Sequence, residues 1–419
     1  MIVLLFVGSL SACKVTSEKI QTWKRSQHGE AKLRTAVMDR ELETSLRIEA
    51  AQALTDLSFV SYLAKDLETL PAVDRTHITS ALVKSLLSQM SGTSEQRTSK
   101  VQLQAKDTLF ALRMVFDAPT RTETDKAVVH WIAGDWMERR RGEHSAQKVV
   151  KGIGQSAGGY LAERVGADPK VVNTIAELIR KQGTAAHRAV AAARLLKLVA
   201  EQDPPMKQTF AALGTIGTNS TRTYLLKVAR EGRQEKYRLW AFWALKADPN
   251  PASVGVLAFA AGNAKEARNV RGAAFEALEK INAPAAAKAL AEIITREKGE
   301  TVRYRAVEAI IQCCKVAGVR NLLAALPPQF NYNEADVVDL IEKDIKALGK
   351  SVLPALRKGL RAQSWISRVV AVRLIGQLGV KTDIEALEKF IGDRTRLKGW
   401  STGATLGSEA KAAIEQLKK

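Results

Sequence analysis

Aromatic residues are scarce in this 419-residue chain, only 5% of it, so whatever core it builds must come from Ala, Leu, Val and Ile. Small side chains let helices approach closely, because the interaxial distance is set by the residues at the contact. Cysteine is nearly absent too, occurring at Cys13, Cys313 and Cys314 alone. Three thiols make no disulfide framework. Side chains at i and i+1 diverge in a regular helix, so Cys313 and Cys314 are expected as small buried core residues rather than a bridge. Histidine occurs five times, at 28, 77, 130, 144 and 187, with no H-E-x-x-H and no i, i+4 pair. Neither a metal nor any cofactor is expected from such a set.

Positive charge, by contrast, is plentiful. The formal net charge is +20, and Lys and Arg outnumber Asp and Glu by 29 to 21 up to residue 200 and by 35 to 23 beyond it. An excess spread this evenly is no detachable basic tail. It suits a body that meets anionic material: phospholipid headgroups, acidic glycans, acidic proteins or nucleic acid. Solubility alone would also account for it.

One helical phrase recurs along the chain: Arg at position i, Ala at i+3, and Leu or Ile at i+7. It is plain at 46–54, 187–195, 237–245, 270–278 and 302–310, led by Arg47, Arg188, Arg238, Arg271 and Arg303, and close at Arg368 to Ile375. At about 100° per residue these positions form one apolar stripe, with small residues at its nearest approach. The leading arginines fall 33 apart from Arg238 to Arg271, 32 from Arg271 to Arg303, and 65 from Arg303 to Arg368. A degenerate copy is therefore expected near residue 334, where Val337, Leu340, Ile341 and Ile345 supply the stripe. Ahead of each phrase lies a second helical stretch, with Pro251, Pro284 and Pro354 near helix starts, where a missing amide hydrogen costs nothing. Each unit thus reads as two antiparallel helices.

The phrase Val-Arg-x-x-Ala-x-x-Ala-Leu resembles HEAT-like repeats, in particular the short bacterial type named after phycobilisome lyases. Its period of 32 to 33 is below the roughly 40 to 47 of larger HEAT units. The resemblance implies an all-α fold, a right-handed α-solenoid of antiparallel helix pairs, whose second helices line a binding surface. It also implies an Asp in the turn before each phrase as partner of the Arg. Only Asp39, ahead of Arg47, matches that pattern. The expected organisation is a regular array over 206–419 with a C-terminal cap, preceded by divergent repeats over 27–205 with an insertion near 118–170.

The first thirteen residues resemble a bacterial lipoprotein signal. An uncharged apolar run over residues 2–10 leads into Leu10-Ser11-Ala12-Cys13, too short for the ~20 residues a membrane span requires. The resemblance implies cleavage after residue 12, lipid on Cys13 and a tether over 13–26. Lys14 in the position after the lipidated cysteine implies sorting to the outer membrane, facing the periplasm.

Catalytic motifs are thin. Gly154-Gln-Ser156-Ala-Gly158 has the spacing of a serine nucleophile elbow, but that chemistry needs a strand, a sharp turn and a helix, with an acid and a histidine downstream. The sole later histidine is His187, inside a repeat helix, and no alternating βα pattern surrounds the motif. A glycine-rich loop around Ser156 is expected, and no catalytic residue. The richest polar stretch is His130-Trp131 to Arg139-Arg140-Arg141. With Lys148 and Lys151 it is the candidate patch for an anionic ligand. Two readings follow. The first is a lipid-anchored, non-enzymatic scaffold of the bacterial cell envelope, binding a protein partner or an anionic polymer. The second, resting on a resemblance to alkylated-DNA glycosylases, is a basic nucleic-acid-binding protein in which Arg engages phosphates and Trp131 or Trp136 stacks on bases. Nucleic acid ranks behind protein as the expected partner.

Overall fold

Every copy of the Arg-x-x-Ala phrase lies in a helix: Thr44–Asp56, Ala185–Glu201, Glu235–Ala247, Arg268–Leu278, Glu300–Ala324 and Trp365–Leu378. The phrase alanines Ala50, Ala191, Ala241, Ala274, Ala306 and Ala371 all have 0% exposure, and the Leu or Ile four residues on is buried behind each. These come from a computed structural model that describes residues 14–92, 99–327, 329–330, 332–400 and 403–419. The signal-like segment and Cys13 lie outside the described residues.

Among those residues the secondary structure is twenty-four α-helices with short 3₁₀ turns, and the one β feature is an isolated bridge between Arg396 and Thr405. The fold class is the all-α solenoid of helix pairs. No described helix is long and apolar enough to cross a membrane. The chain forms two compact units that divide between Leu198 and Val199.

The second unit shows the repeat most clearly. Its phrase helices begin at residues 235, 268, 300, 332 and 365. The degenerate copy is the helix Tyr332–Ala347. Each phrase helix packs on the helix before it and on the phrase helix of the next repeat. Pro284 occupies the first turn of Pro284–Arg296, and Pro251 opens a 3₁₀ turn into Val254–Ala261. Close approach is enforced at Gly214, where an added Cβ would stand 2.2 Å from the Ala244 carbonyl oxygen.

Glu300–Ala324 is two helices in one, broken at Lys315, whose φ of 46° lies in the left-handed region. Its first half carries the phrase and its second half opens the next repeat. At this break the structure corrects an expectation. Cys313 and Cys314 are bridged, although buried as foreseen. The objection to a bridge assumed regular helix, and the backbone leaves helix immediately after Cys314.

The first unit also consists of successive packed helices, less evenly spaced. Within 118–170 the helices shorten to Trp136–Arg139, Ala146–Ile153 and Gln155–Ala162. Part of the stretch read as a tether over 13–26 is a helix, Ser17–Trp23, capped by Thr16 and held by fully buried Ile20. One apolar anchor in two turns is too little periodicity to see in sequence.

The arginine partners also differ from expectation. Asp39 does not hold Arg47; its carboxylate accepts from the Glu41 amide. Arg47 donates to the Val37 carbonyl and pairs with Asp74 at 3.3 Å. The acid comes from one repeat later, not from the preceding turn. Arg238 repeats this register with Glu266, and arginines on the helices ahead of phrase helices pair likewise with later acids, Arg34 with Asp66, Arg222 with Asp248 and Arg357 with Asp383, all within 2.8 Å. These inter-repeat pairs are partly buried, so water screens them less than it would exposed pairs.

Two outcomes follow from this packing. Enlarging Ala241, Ala274 or Ala306 to Leu should cost about 1–3 kcal/mol through overpacking, and unchanged thermal melting in all three variants would mean the helix register is wrong. The second concerns Glu342, which burial pushes up to about 6 even though Arg373 stands 3.3 Å away. The folded state then holds a proton that the unfolded chain, near 4.5, has released. Stability should fall as pH rises from about 4.5 through 6, by on the order of 2 kcal/mol. Melting curves of Glu342→Gln across that window should lack this slope.

Candidate binding surfaces and buried polar centres

The basic stretch that sequence singled out is divided by the fold. Arg139 turns inward: its Nη1 donates to the Trp131 carbonyl at 2.7 Å and its guanidinium lies 4.7 Å over the Trp131 ring. Burial holds its pKa below the usual arginine value. Arg140, Arg141, Lys148 and Lys151 remain exposed, the two lysines one turn apart on Ala146–Ile153. Both tryptophans are buried, so neither offers a face to a nucleobase.

The loop that displays Arg140 and Arg141 is fixed from beneath by a group that sequence reasoning missed. Lys106, on Ser99–Leu112, is fully buried. Its Nζ donates to the carbonyls of Arg141 and His144, both at 2.6 Å, and pairs with Asp107 at 2.9 Å. Asp107 in turn accepts from the amides of Glu143 and His144 at 2.8 and 3.0 Å. One ion pair therefore satisfies four backbone groups of a loop that has no secondary structure to satisfy them. Gly142 is required here: its φ is 108°, and a Cβ would fall 2.4 Å from Asp107 Oδ2. Beside the clamp lies a cavity of about 720 Å³ lined by Ser58, Ser61, Gln104, Asp107 and His144 among others. Nothing in a hydropathy pattern distinguishes Lys106 from a solvated lysine; only the Gly142 turn hints at a tight loop.

Ser156 is not in a loop. It sits in the helix Gln155–Ala162, entered through Gly154 at φ 77°. Val149 and Val150, just ahead of the motif, are helical, so no strand leads into it. The fold nevertheless brings Ser156 and His187 to the wall of one cavity of about 430 Å³, with Tyr160 and Glu163. His187 Nδ1 accepts from the Thr184 amide, and Glu163 is engaged by Lys126 at 2.9 Å and His130 at 3.2 Å. The Lys126 contact holds Glu163 below the usual carboxylate range, while burial lowers His130. Among the described residues no hydrogen bond joins Ser156 to His187, and the acid that a triad would need is already spent on Lys126 and His130. No described cluster of His, Cys, Asp and Glu could hold a metal ion.

In the second unit the outer edges of the phrase helices form shallow clefts. Phe210, Tyr237 and Trp240 pack together, with Phe210 and Tyr237 stacked at 6.3 Å. Trp243 is exposed, with Lys207 4.5 Å over its ring. The next cleft, about 360 Å³, lies between Arg268–Leu278 and Glu300–Ala324 and is lined by Arg268, Arg271, Phe275, Tyr304, Arg305 and Glu308 among others.

Residues 224–311, which include the cleft between Arg268–Leu278 and Glu300–Ala324, match the family model for HEAT repeats. The regular repeats are HEAT-like. No curated protein matches the chain. Among solved structures it is similar to human deoxyhypusine hydroxylase, at 14% identity over 71% of this chain and 99% of that one, with a TM-score of 0.26. It is also similar to the Pds5-Scc1 complex, at 11% identity over 86% and 67% of the two chains, TM-score 0.34. Kap121p matches at 12% identity over 96% of this chain and 46% of that one, TM-score 0.36, so this chain spans less than half of Kap121p. Overlaps this loose add nothing to the helical class already seen.

The clamp makes a direct prediction. Asp107→Ala strands a buried ammonium and should cost about 3–5 kcal/mol. It should also free the loop, so that trypsin cuts after Arg140 and Arg141 in the folded protein far faster than in wild type. Equal cleavage rates would show that the ion pair does not hold the loop.

Proposed function

We propose that the chain is a non-enzymatic HEAT-like scaffold, held at the bacterial cell envelope by lipid on Cys13, where it binds a protein partner. The observation that carries the binding half is the regular stack of phrase helices from residue 235 to 378, of which the part up to residue 311 matches HEAT repeats. Its apolar stripe is used up in packing, while Trp243 is exposed and Arg268 and Tyr304 line a cleft. Repeating units of this kind build extended surfaces suited to chain-like partners. The anchoring half is supported by the Leu10-Ser11-Ala12-Cys13 pattern after an apolar run. With Ser17–Trp23 folded onto the body, only a few residues separate Cys13 from packed structure. The exposed cations Arg140, Arg141, Lys148 and Lys151 would then supplement the lipid at an anionic surface, since one acyl chain binds a bilayer only marginally. An anionic envelope polymer is the alternative occupant of that patch.

Two features speak against nucleic acid and catalysis. The tryptophans that would stack on bases are buried, and Ser156 lacks a hydrogen-bonded histidine. The test is a pair of measurements on native material. Cys13→Ser should move the protein from the membrane to the soluble fraction, and affinity capture from envelope extract should retain a protein ligand that survives nuclease treatment. Native protein with an intact Met1 and unlipidated Cys13 would remove the anchor, and capture dominated by DNA with steep salt dependence would remove the scaffold reading.

A further inference from the structure

The inter-repeat ladder has an open rung at Arg271. In the preceding repeat Arg238 is closed on both sides: its Nη1 donates to the Gly232 carbonyl at 2.7 Å and its Nη2 to Glu266 at 2.8 Å. Glu266 lies two residues before the next phrase helix, Arg268–Leu278. The same place before Glu300–Ala324 is Lys298, and the residue 28 positions after Arg271, the spacing of Arg238 from Glu266, is Gly299. Neither carries a carboxylate. The neighbouring Glu297 pairs with Arg296 at 3.0 Å. Arg271 therefore makes none of these contacts: its Nε, like that of Arg238, is buried without an acceptor, but in Arg271 no hydrogen bond or ion pair of the rest of the guanidinium occurs among the described residues either.

A second observation falls on the same spot. Arg268 and Arg271 stand in the first turn of a helix with no acidic residue there, whereas the flanking phrase helices begin with Glu235 and Glu300. Cations at the positive end of a helix dipole are unfavourable, and an anion is welcome. Arg305, across the cleft, is already matched by Glu279 and Glu308. The uncompensated charge is that of Arg268 and Arg271, above a floor of buried Phe275 and Val302. Gly272 leaves the wall open, with nothing within 4 Å of a built Cβ.

We infer that this cleft binds an acidic segment of a protein partner, whose Asp or Glu carboxylate closes on Arg271 as Glu266 closes on Arg238. The inference rests on the scaffold reading and names the chemistry of its partner. A carboxylate on a single extended chain fits a narrow cleft of about 360 Å³ between two helices with an apolar floor. A headgroup plane or a duplex would lie across its mouth. Arginine suits the task because its planar fork takes a carboxylate through two parallel hydrogen bonds.

Fluorescence anisotropy with the full chain tests this, using fluorescein-labelled hexaglutamate against hexaglutamine at physiological salt. Wild type should bind hexaglutamate at least about tenfold more tightly, and Arg271→Gln should lose that preference. Lys298→Glu, which restores the rung from within, should lose it as well, while Lys298→Gln should stay within about threefold of wild type. Unchanged melting temperatures show that the variants are folded. Hexaglutamate binding that is indifferent to Arg271→Gln overturns the inference, and so does displacement of the peptide from Arg271 by phosphatidylglycerol vesicles or duplex DNA at equal charge. If envelope capture yields a protein whose retention ignores Arg271→Gln, the cleft assignment fails and the scaffold stands. If capture yields no protein while the peptide result holds, the scaffold reading fails and the cleft stands.

Discussion

The approach of helix to helix at the phrase alanines is the contact on which the rest of the array depends. A methyl group at Ala241, Ala274 or Ala306 lets the neighbouring backbone come near enough for the Leu or Ile four residues on to reach the same interface. Gly214 against Ala244 is the extreme case, with no room even for a methyl. Because packing this tight tolerates neither a void nor an extra methylene, the spacing of phrase helices is held at 32 to 33 residues over five successive starts. The paucity of aromatics follows from the same geometry. The few rings in the interior of this unit include Phe210, Phe242 and Phe275, and Phe210 packs with Tyr237 and Trp240.

That seam was legible because it repeats. An interval of 65 residues between Arg303 and Arg368 could be divided by the period established upstream, and Tyr332–Ala347 stands where the missing copy belongs. The ladder partners were illegible for the opposite reason. A turn-borne Asp was sought before each arginine, while the acids that close on Arg34, Arg47, Arg222, Arg238 and Arg357 lie 26 to 32 residues after them. Such pairing depends on stacking angle, which a one-dimensional pattern does not encode. The break at Lys315 was hidden likewise: the apolar period runs on through Val316 and Val319, and only the backbone shows that one helix has become two.

Lys106 marks the limit of periodic reading in the first unit. A buried ammonium is among the costliest groups a core can hold, and an adjacent Lys106-Asp107 pair in sequence looks like any solvated pair of charges. What makes it tolerable is the adjacent Asp107 together with groups distant in sequence: two carbonyls from residues 141 and 144, and the amides of 143 and 144 that anchor Asp107 on the same loop. The arrangement inverts the usual order of dependence. The loop is ordered because the lysine needs acceptors, and the lysine is buried because the loop supplies them. Arg140 and Arg141 thereby stand on a fixed platform although they belong to no regular element.

The two units thus present charge in different ways. In the first, cations on the 140–145 loop and on Ala146–Ile153 are exposed, which suits an extended anionic surface where position matters little and screening matters much. In the second, Arg222 and Arg238 are paired with acids further along the chain, Asp248 and Glu266, whereas Arg271 has no such partner. A ladder of this kind is a means of localising specificity. Each closed pair silences a cation that would otherwise attract any anion, and the array needs only one substitution at a turn, such as Lys298 where Glu266 stands one repeat earlier, to open a site without disturbing the alanine seam beneath it. Arg271 stands one turn before Ala274 on the same stripe of the helix, so stability and the proposed recognition share one face, and the rung's partner can change while the alanine contact beside it is held constant.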